Sequence, residues 1–199
     1  MRFRSFISIA VLVLTLLIAV EARRKIKAKE YKGRFTPFMK KFQRQVLQQH
    51  NVLRPKHGVP KLKLNEKLNR FAQARANELA KRVTNENGHR LWHIKKYPFG
   101  ENLYWISEGA RFTGKTVVDV WYAEIRQHNF NQKNPPKEVL HFTQVVWKKS
   151  RRLGVGIAKA KDGSYYVSAL YDPKGNNRDQ YLENVPRPIR GRFLSSLSC

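Results

Sequence analysis

Few side chains in this 199-residue sequence have the types and spacing that chemistry needs. Six are histidines: His50 lies in an apolar-periodic stretch, His57 in a Gly- and Pro-containing connector, and His89 and His93 share the segment TNENGHRLWHIKKYPFG. His128 and His141 follow singly. An imidazole can bind Zn²⁺ or Cu²⁺ or carry a proton. No His-Glu-x-x-His or other short ligand spacing occurs, so any such site must be assembled by the fold. Cys199 is the single cysteine. That leaves no intramolecular disulfide and no cysteine-built zinc or iron–sulfur centre. Gly-x-Ser-x-Gly is absent, so there is no serine nucleophile elbow. Gly154-Val-Gly156 lacks the third glycine and the following helix of a phosphate loop, and reads as a strand packed closely on a neighbour. Asn102, next to Glu101, suits either a bond to nearby backbone or a turn.

Charge is the second chemical feature. Forty Lys and Arg oppose 14 Asp and Glu, a net +26. Arg2 and Arg4 precede an uncharged run from Phe6 to Val20, and Val20-Glu21-Ala22 suits a signal peptidase, so residues 1–22 read as a signal peptide. The 15-residue apolar run is short for a bilayer span of roughly 20. An uncleaved anchor is the alternative. Removing Arg2, Arg4 and Glu21 with the leader leaves 38 basic and 13 acidic residues, net +25 on 177 residues. Solubility asks for roughly 2–8. Residues 23–36 form a basic arm, read as mobile, and Arg23 to Lys41 contains nine Lys and Arg. For an exported chain the matching partners are anionic glycans or an anionic membrane surface. No DNA- or RNA-binding motif is visible. There is no Asn-x-Ser/Thr sequon either.

These residues must be positioned by a core, and 41% hydrophobic residues are enough to make one. Helical spacing of Phe38, Phe42, Val46, Leu47, His50 and Leu53 predicts a first helix ending before Pro55. A second runs from Asn65 to about Val83. Residues 101–106 read as a strand, Thr116 as the cap of a third helix through Ile125, and Glu138 to Lys148 as a fourth helix. Gly154 to Ala160 and Ser164 to Tyr171 flank Asp162-Gly163, a hairpin signal. Trp121, Tyr122, Phe142 and Trp147 read as core. The fold class is α+β, with a small, largely antiparallel sheet.

Several segments taken together resemble a known family. They are His141-Phe-Thr-Gln-Val-Val-Trp147, Tyr171-Asp-Pro-Lys-Gly175-Asn176, Gly100-Glu-Asn-Leu103 and Trp121-Tyr-Ala-Glu124, with residues 50–64. In their order along the chain they are similar to the CAP superfamily of cysteine-rich secretory proteins, insect venom antigen 5 and plant pathogenesis-related proteins. The resemblance covers 37–185, leaving 186–199 as a basic tail. It is nearest the Golgi-associated pathogenesis-related type, which lacks most of the family's disulfides. Those members carry a lipid anchor; here Met1-Arg2 offers no glycine for myristoylation. The resemblance implies an αβα sandwich and a cleft with two His and two Glu. Carried over residue by residue, these are Glu101, Glu124, His141 and His93, with His89 the alternative to His93. It implies sterol or lipid binding. With no identified nucleophile and the high positive charge, the expectation is a non-enzymatic binder of sterol, lipid, polyanion or protein that requires no cofactor, with Zn²⁺ or Cu²⁺ as the ions His93 and His141 could hold. The alternatives are a cleft hydrolase using the same residues and a membrane-anchored interaction protein.

Overall fold

The structure, a computed structural model, describes residues 29–82, 91–94 and 97–189. The leader 1–22, residues 23–28 of the arm, His89, and the tail from 190 with Cys199 lie outside the described residues.

Helix α1, Pro37–Leu53, starts at Thr36, whose hydroxyl accepts the Met39 N–H. Pro37 at its first position forfeits no helical hydrogen bond. Phe42, Val46, His50 and Leu53 form its buried stripe, as the periodicity predicts. Helix α2, Glu66–Lys81, is capped by the Asn65 side chain on the Leu68 N–H. Helix α3, Gly114–Ala123, begins earlier than expected. Thr113, not Thr116, is the cap, and Thr116 returns the bond from the third helical position. Thr-x-x-Thr offers two hydroxyls at capping spacing, and the chain uses the first. The helix expected to reach Lys148 is also shorter. A 3₁₀ turn, Lys137–Val139, leads into α4, Leu140–Val145. There the buried Arg54 guanidinium donates to the carbonyls of Val145, Trp147 and Ser150, which lie at and beyond the helix end and have no partner within it. One further turn, α5, spans Tyr181–Asn184.

Among the described residues the sheet has four strands: β1 (Lys63–Leu64), β2 (Gly100–Ile106), β3 (Arg152–Lys159) and β4 (Tyr165–Asp172), in the order β1-β3-β4-β2. β4 pairs antiparallel with β2 and β3, and β1 runs parallel to β3. β1 falls within the Gly- and Pro-containing connector, residues 56–64, where two residues carry no period to mark a strand. The hairpin turns at Asp162-Gly163, with Gly163 at φ +83°.

Alternation along β3 builds the layers. Leu153, Val155 and Ile157 share a cluster with Phe42 and Val46 of α1 and Val117, Val118 and Trp121 of α3. Gly154 and Gly156 face the other way: a Cβ on either would collide with the α2 backbone, at Leu68 and Ala72 respectively. The glycine pair is thus a close-approach strand and the fold an αβα sandwich, as expected. Trp121, Phe142 and Trp147 are fully buried in its core.

Because β1 covers only the start of β3, the rest of that edge needs other partners. Amide side chains supply them. Asn69 Oδ1 accepts the Val155 N–H at 2.9 Å, and Gln43 Nε2 donates to the Val155 carbonyl at 3.1 Å. Gln73 makes both bonds to Ile157, at 3.0 and 2.7 Å.

From Tyr31 onward the basic arm is docked rather than free. The Tyr31 N–H donates to the Arg70 carbonyl and Arg70 Nη1 donates back to the Tyr31 carbonyl, both at 3.1 Å. Phe35 is buried beside them. Backbone bonds at Tyr31 and the buried Phe35 dock this part of the basic run, which charge counting alone does not reveal.

Candidate functional site

Glu101 is the second residue of β2, and strand alternation sends it toward α2. There the buried Arg75 donates through Nε to Glu101 Oε1 at 3.1 Å. The same guanidinium donates to the Trp92 carbonyl and lies 4.9 Å from the Trp92 ring centroid. Arg75 therefore fixes both the carboxylate and the loop that bears His93. His93 Nδ1 meets Glu101 Oε2 at 2.9 Å. The pair is asymmetric: the Glu101 side chain is 5% exposed and that of His93 62%.

The second pair comes from the opposite layer. Glu124 follows α3, and its Oε2 accepts the backbone N–H groups of His141 and Phe142, each at 3.0 Å. Its Oε1 takes His141 Nδ1 at 2.7 Å. The carboxylate thus orients the ring and fastens the first turn of α4. Trp121 stacks on the His141 ring, with centroids 6.3 Å apart and planes 19° from parallel.

In both pairs a carboxylate oxygen accepts, so Nδ1 carries the hydrogen and the neutral ring keeps its lone pair on Nε2. That is the orientation in which an imidazole ligates a metal or accepts a proton. Among the described residues no group of three or more His, Cys, Asp or Glu is gathered as a metal cage.

His93, Glu101 and His141 line one cleft of about 540 Å³, together with Ile94, Tyr97, Phe99, Leu140, Lys137, Lys174 and Asn176. Glu124 stands behind His141. Burial, and then the Glu101 charge, push the Tyr97 phenol up to about 12, so it stays neutral near pH 7. The sequence motifs explain the cleft's backbone. Gln144 Oε1 accepts the Gly175 N–H at 3.0 Å, and a Cβ on Gly100 or Gly175 would run into the Gln144 side chain. Asn176, at φ 54°, donates to the Leu140 carbonyl at 2.8 Å and accepts from the Thr143 hydroxyl at 2.7 Å. Asn102 points into the other layer and donates to the His141 carbonyl at 3.1 Å.

All four expected cleft residues are thus brought into two pairs. Arg75 was missed, although its signal was legible: a charge at an apolar position of α2, between Ala72 and Leu79. His50 and His57 are not cleft groups. Each donates from Nδ1 to a carbonyl, of Val46 and Pro186 respectively, and accepts a tyrosine hydroxyl at Nε2, from Tyr171 and Tyr122. Burial lowers both, His50 to about 3. No helix among the described residues is long and apolar enough to cross a membrane.

Comparison with known proteins agrees with this architecture. The profile of the cysteine-rich secretory protein family, CAP, matches residues 47–171. The Golgi-associated plant pathogenesis-related protein 1 of Homo sapiens is 43% identical over 152 residues, 75% of this chain and 95% of that protein. Pathogenesis-related protein 1 of Arabidopsis thaliana is 33% identical over 130 residues, 65% of this chain and 75% of that one. Among solved structures, BmVAL-1 matches with a TM-score of 0.57 at 23% identity, over 76% of this chain and 84% of that chain. The crystal structure of NaASP2 with Zn²⁺ matches at 0.58 and 18% identity, over 79% and 91%. At those identities the likeness is one of fold. With the motif residues in place, the sandwich formed and more than half the sequence matched, the chain belongs to the CAP, or cysteine-rich secretory protein, family.

Proposed function

We propose that this chain is an exported, non-enzymatic binding protein. Its cleft receives an amphipathic extracellular ligand of the lipid or sterol class, and its basic amino-terminal surface associates with anionic glycans or membranes. The observation that carries this reading is the composition of the cleft wall. Ile94, Tyr97, Phe99 and Leu140 offer apolar surface, His93, Lys137 and Lys174 offer polar and cationic groups, and no Ser, Thr or Cys is among the described lining residues. A body with an apolar part and a polar head fits such a wall.

Zn²⁺ or Cu²⁺ fits the two imidazoles. His93 and His141 would hold it through Nε2, with Glu101 and Glu124 as their outer partners. With two protein ligands the binding is weak, and solvent or the ligand completes the shell. When bound, the ion would supply a positive charge that draws an anionic headgroup.

A second reading, hydrolysis, rests on the same free Nε2 atoms, each backed by a carboxylate and able to take a proton from water. It predicts turnover that Glu101→Gln abolishes. The test of the primary reading is expression of the full sequence in a secreting cell. An amino terminus after Ala22 on the medium protein, with an amphipathic small molecule identified by mass spectrometry and lost on blocking the cleft, supports it. A product retained in the membrane with residues 1–20 refutes export, and a ligand-free protein refutes the cleft assignment.

A further inference from the structure

Positive charge is unevenly distributed over this fold. From Tyr31 to Asn65 the sequence has nine Lys or Arg and no Asp or Glu. Within that stretch Arg34, Phe35, Thr36, Pro37, Lys40 and Arg44 line a groove of about 590 Å³ where the docked arm meets α1. Lys40 and Arg44 lie one helical turn apart, and Arg34 lies on the segment before the helix. All three are exposed, and none of their side chains has a carboxylate partner among the described residues. The other basic cluster, Lys148 to Arg152, differs. There Lys149 pairs with Glu183 at 3.0 Å and Arg152 with Asp172 at 2.6 Å, and Arg151 is occupied by the carbonyls of Lys148 and Ser150.

We infer that the groove formed by Arg34, Phe35, Lys40 and Arg44 is the seat of a sulfated glycan chain. The inference rests on the polyanion part of the function proposed above and adds its location and ligand class. Three unneutralised cations around one concavity suit several sulfate esters on a linear chain. A guanidinium presents paired donors to sulfate oxygens, while the lysine acts as a point charge. Phe35 is buried, so its ring does not project as a membrane wedge would, and a concave slot admits a chain more readily than a flat bilayer.

The test uses the exported full chain and a heparin-derived hexasaccharide, titrated calorimetrically across a salt series. Replacing all three cations, Arg34→Gln, Lys40→Gln and Arg44→Gln, should weaken binding by about tenfold or more. It should also flatten the log–log salt dependence by roughly two to three counterions. The control triple variant Lys148→Gln, Lys149→Gln, Arg152→Gln should stay within about threefold of wild type. Thermal melts confirm that both variants fold, as exposed positions and glutamine's helix propensity predict. Equal affinity of the groove variant and wild type overturns the assignment while leaving polyanion binding intact. Absence of hexasaccharide binding by wild type overturns both. A groove variant that loses binding to phosphatidylserine vesicles but keeps the hexasaccharide makes the groove a membrane seat and overturns the glycan assignment.

Discussion

Acidification should weaken this fold through His50. The ring is fully buried, and its hydrogen bonds define one protonation state. The Val46 carbonyl can only accept, so Nδ1–H donates to it at 2.8 Å. Nε2 must then accept, from the Tyr171 hydroxyl at 2.9 Å, and that oxygen takes Asn102 Nδ2 at 3.3 Å. A second ring proton would face the tyrosine's own hydrogen. Burial, reinforced by the Arg54 charge and opposed by the Val46 bond, pushes the folded-state pKa from 6.5 down to about 3. The unfolded chain therefore takes the proton first. The stability tied to the neutral ring is whole above pH 6.5 and is lost progressively as pH falls from 6.5 toward about 3. One excess proton corresponds to about 1.4 kcal/mol per pH unit, so acidification to about pH 4.5 costs on the order of 3 kcal/mol from His50 alone. His57 adds in the same sense, since burial lowers it too. Guanidinium unfolding followed by tryptophan fluorescence at pH steps between about 7 and 4.5 measures the slope. His50→Gln keeps a donor and an acceptor but removes the titration. Its stability should fall less steeply with acid, by about 1.4 kcal/mol per pH unit, whatever its absolute value. Equal slopes for the two proteins would refute the reasoning.

Three further outcomes are expected. Gly156→Ala drives a methyl into the Ala72 backbone and should cost about 1–3 kcal/mol, lowering Tm by several degrees; an unchanged melt would mean the helix and sheet separate freely. Arg75→Gln leaves the buried Glu101 without its cation and should cost about 3 kcal/mol, with increased hydrogen exchange around residues 91–94; exchange confined to α2 would show that Arg75 does not hold that loop. The double variant His93→Ala, His141→Ala should lose Zn²⁺ uptake in calorimetry relative to wild type, and equal uptake would place the metal elsewhere, with His89 the first residue to replace.

The local signals in this sequence determined the larger elements. Apolar periodicity marked α1 and α2, Asp162-Gly163 marked the hairpin, and the glycine pair of β3 marked a close approach, because each depends on neighbours within a turn or two. The motif residues His141, Glu101 and Glu124 were legible through family resemblance. The tertiary structure alone decided what those residues meet. Glu101 and its partner Arg75 are 26 positions apart, and His141 and Glu124 are 17 apart, so no local pattern reports the pairing. It decided that Thr113 rather than Thr116 caps α3, since both hydroxyls have the spacing and packing of Gly114 against α1 selects the start. It decided that Lys63–Leu64 is a strand, because a two-residue strand exists only through its partner β3. It separated His50 and His57, enclosed by carbonyls and tyrosines, from His93 and His141, whose carboxylate partners leave Nε2 facing the cleft. An imidazole's role is set by what surrounds both of its nitrogens, and those surroundings are contributed by segments remote in sequence.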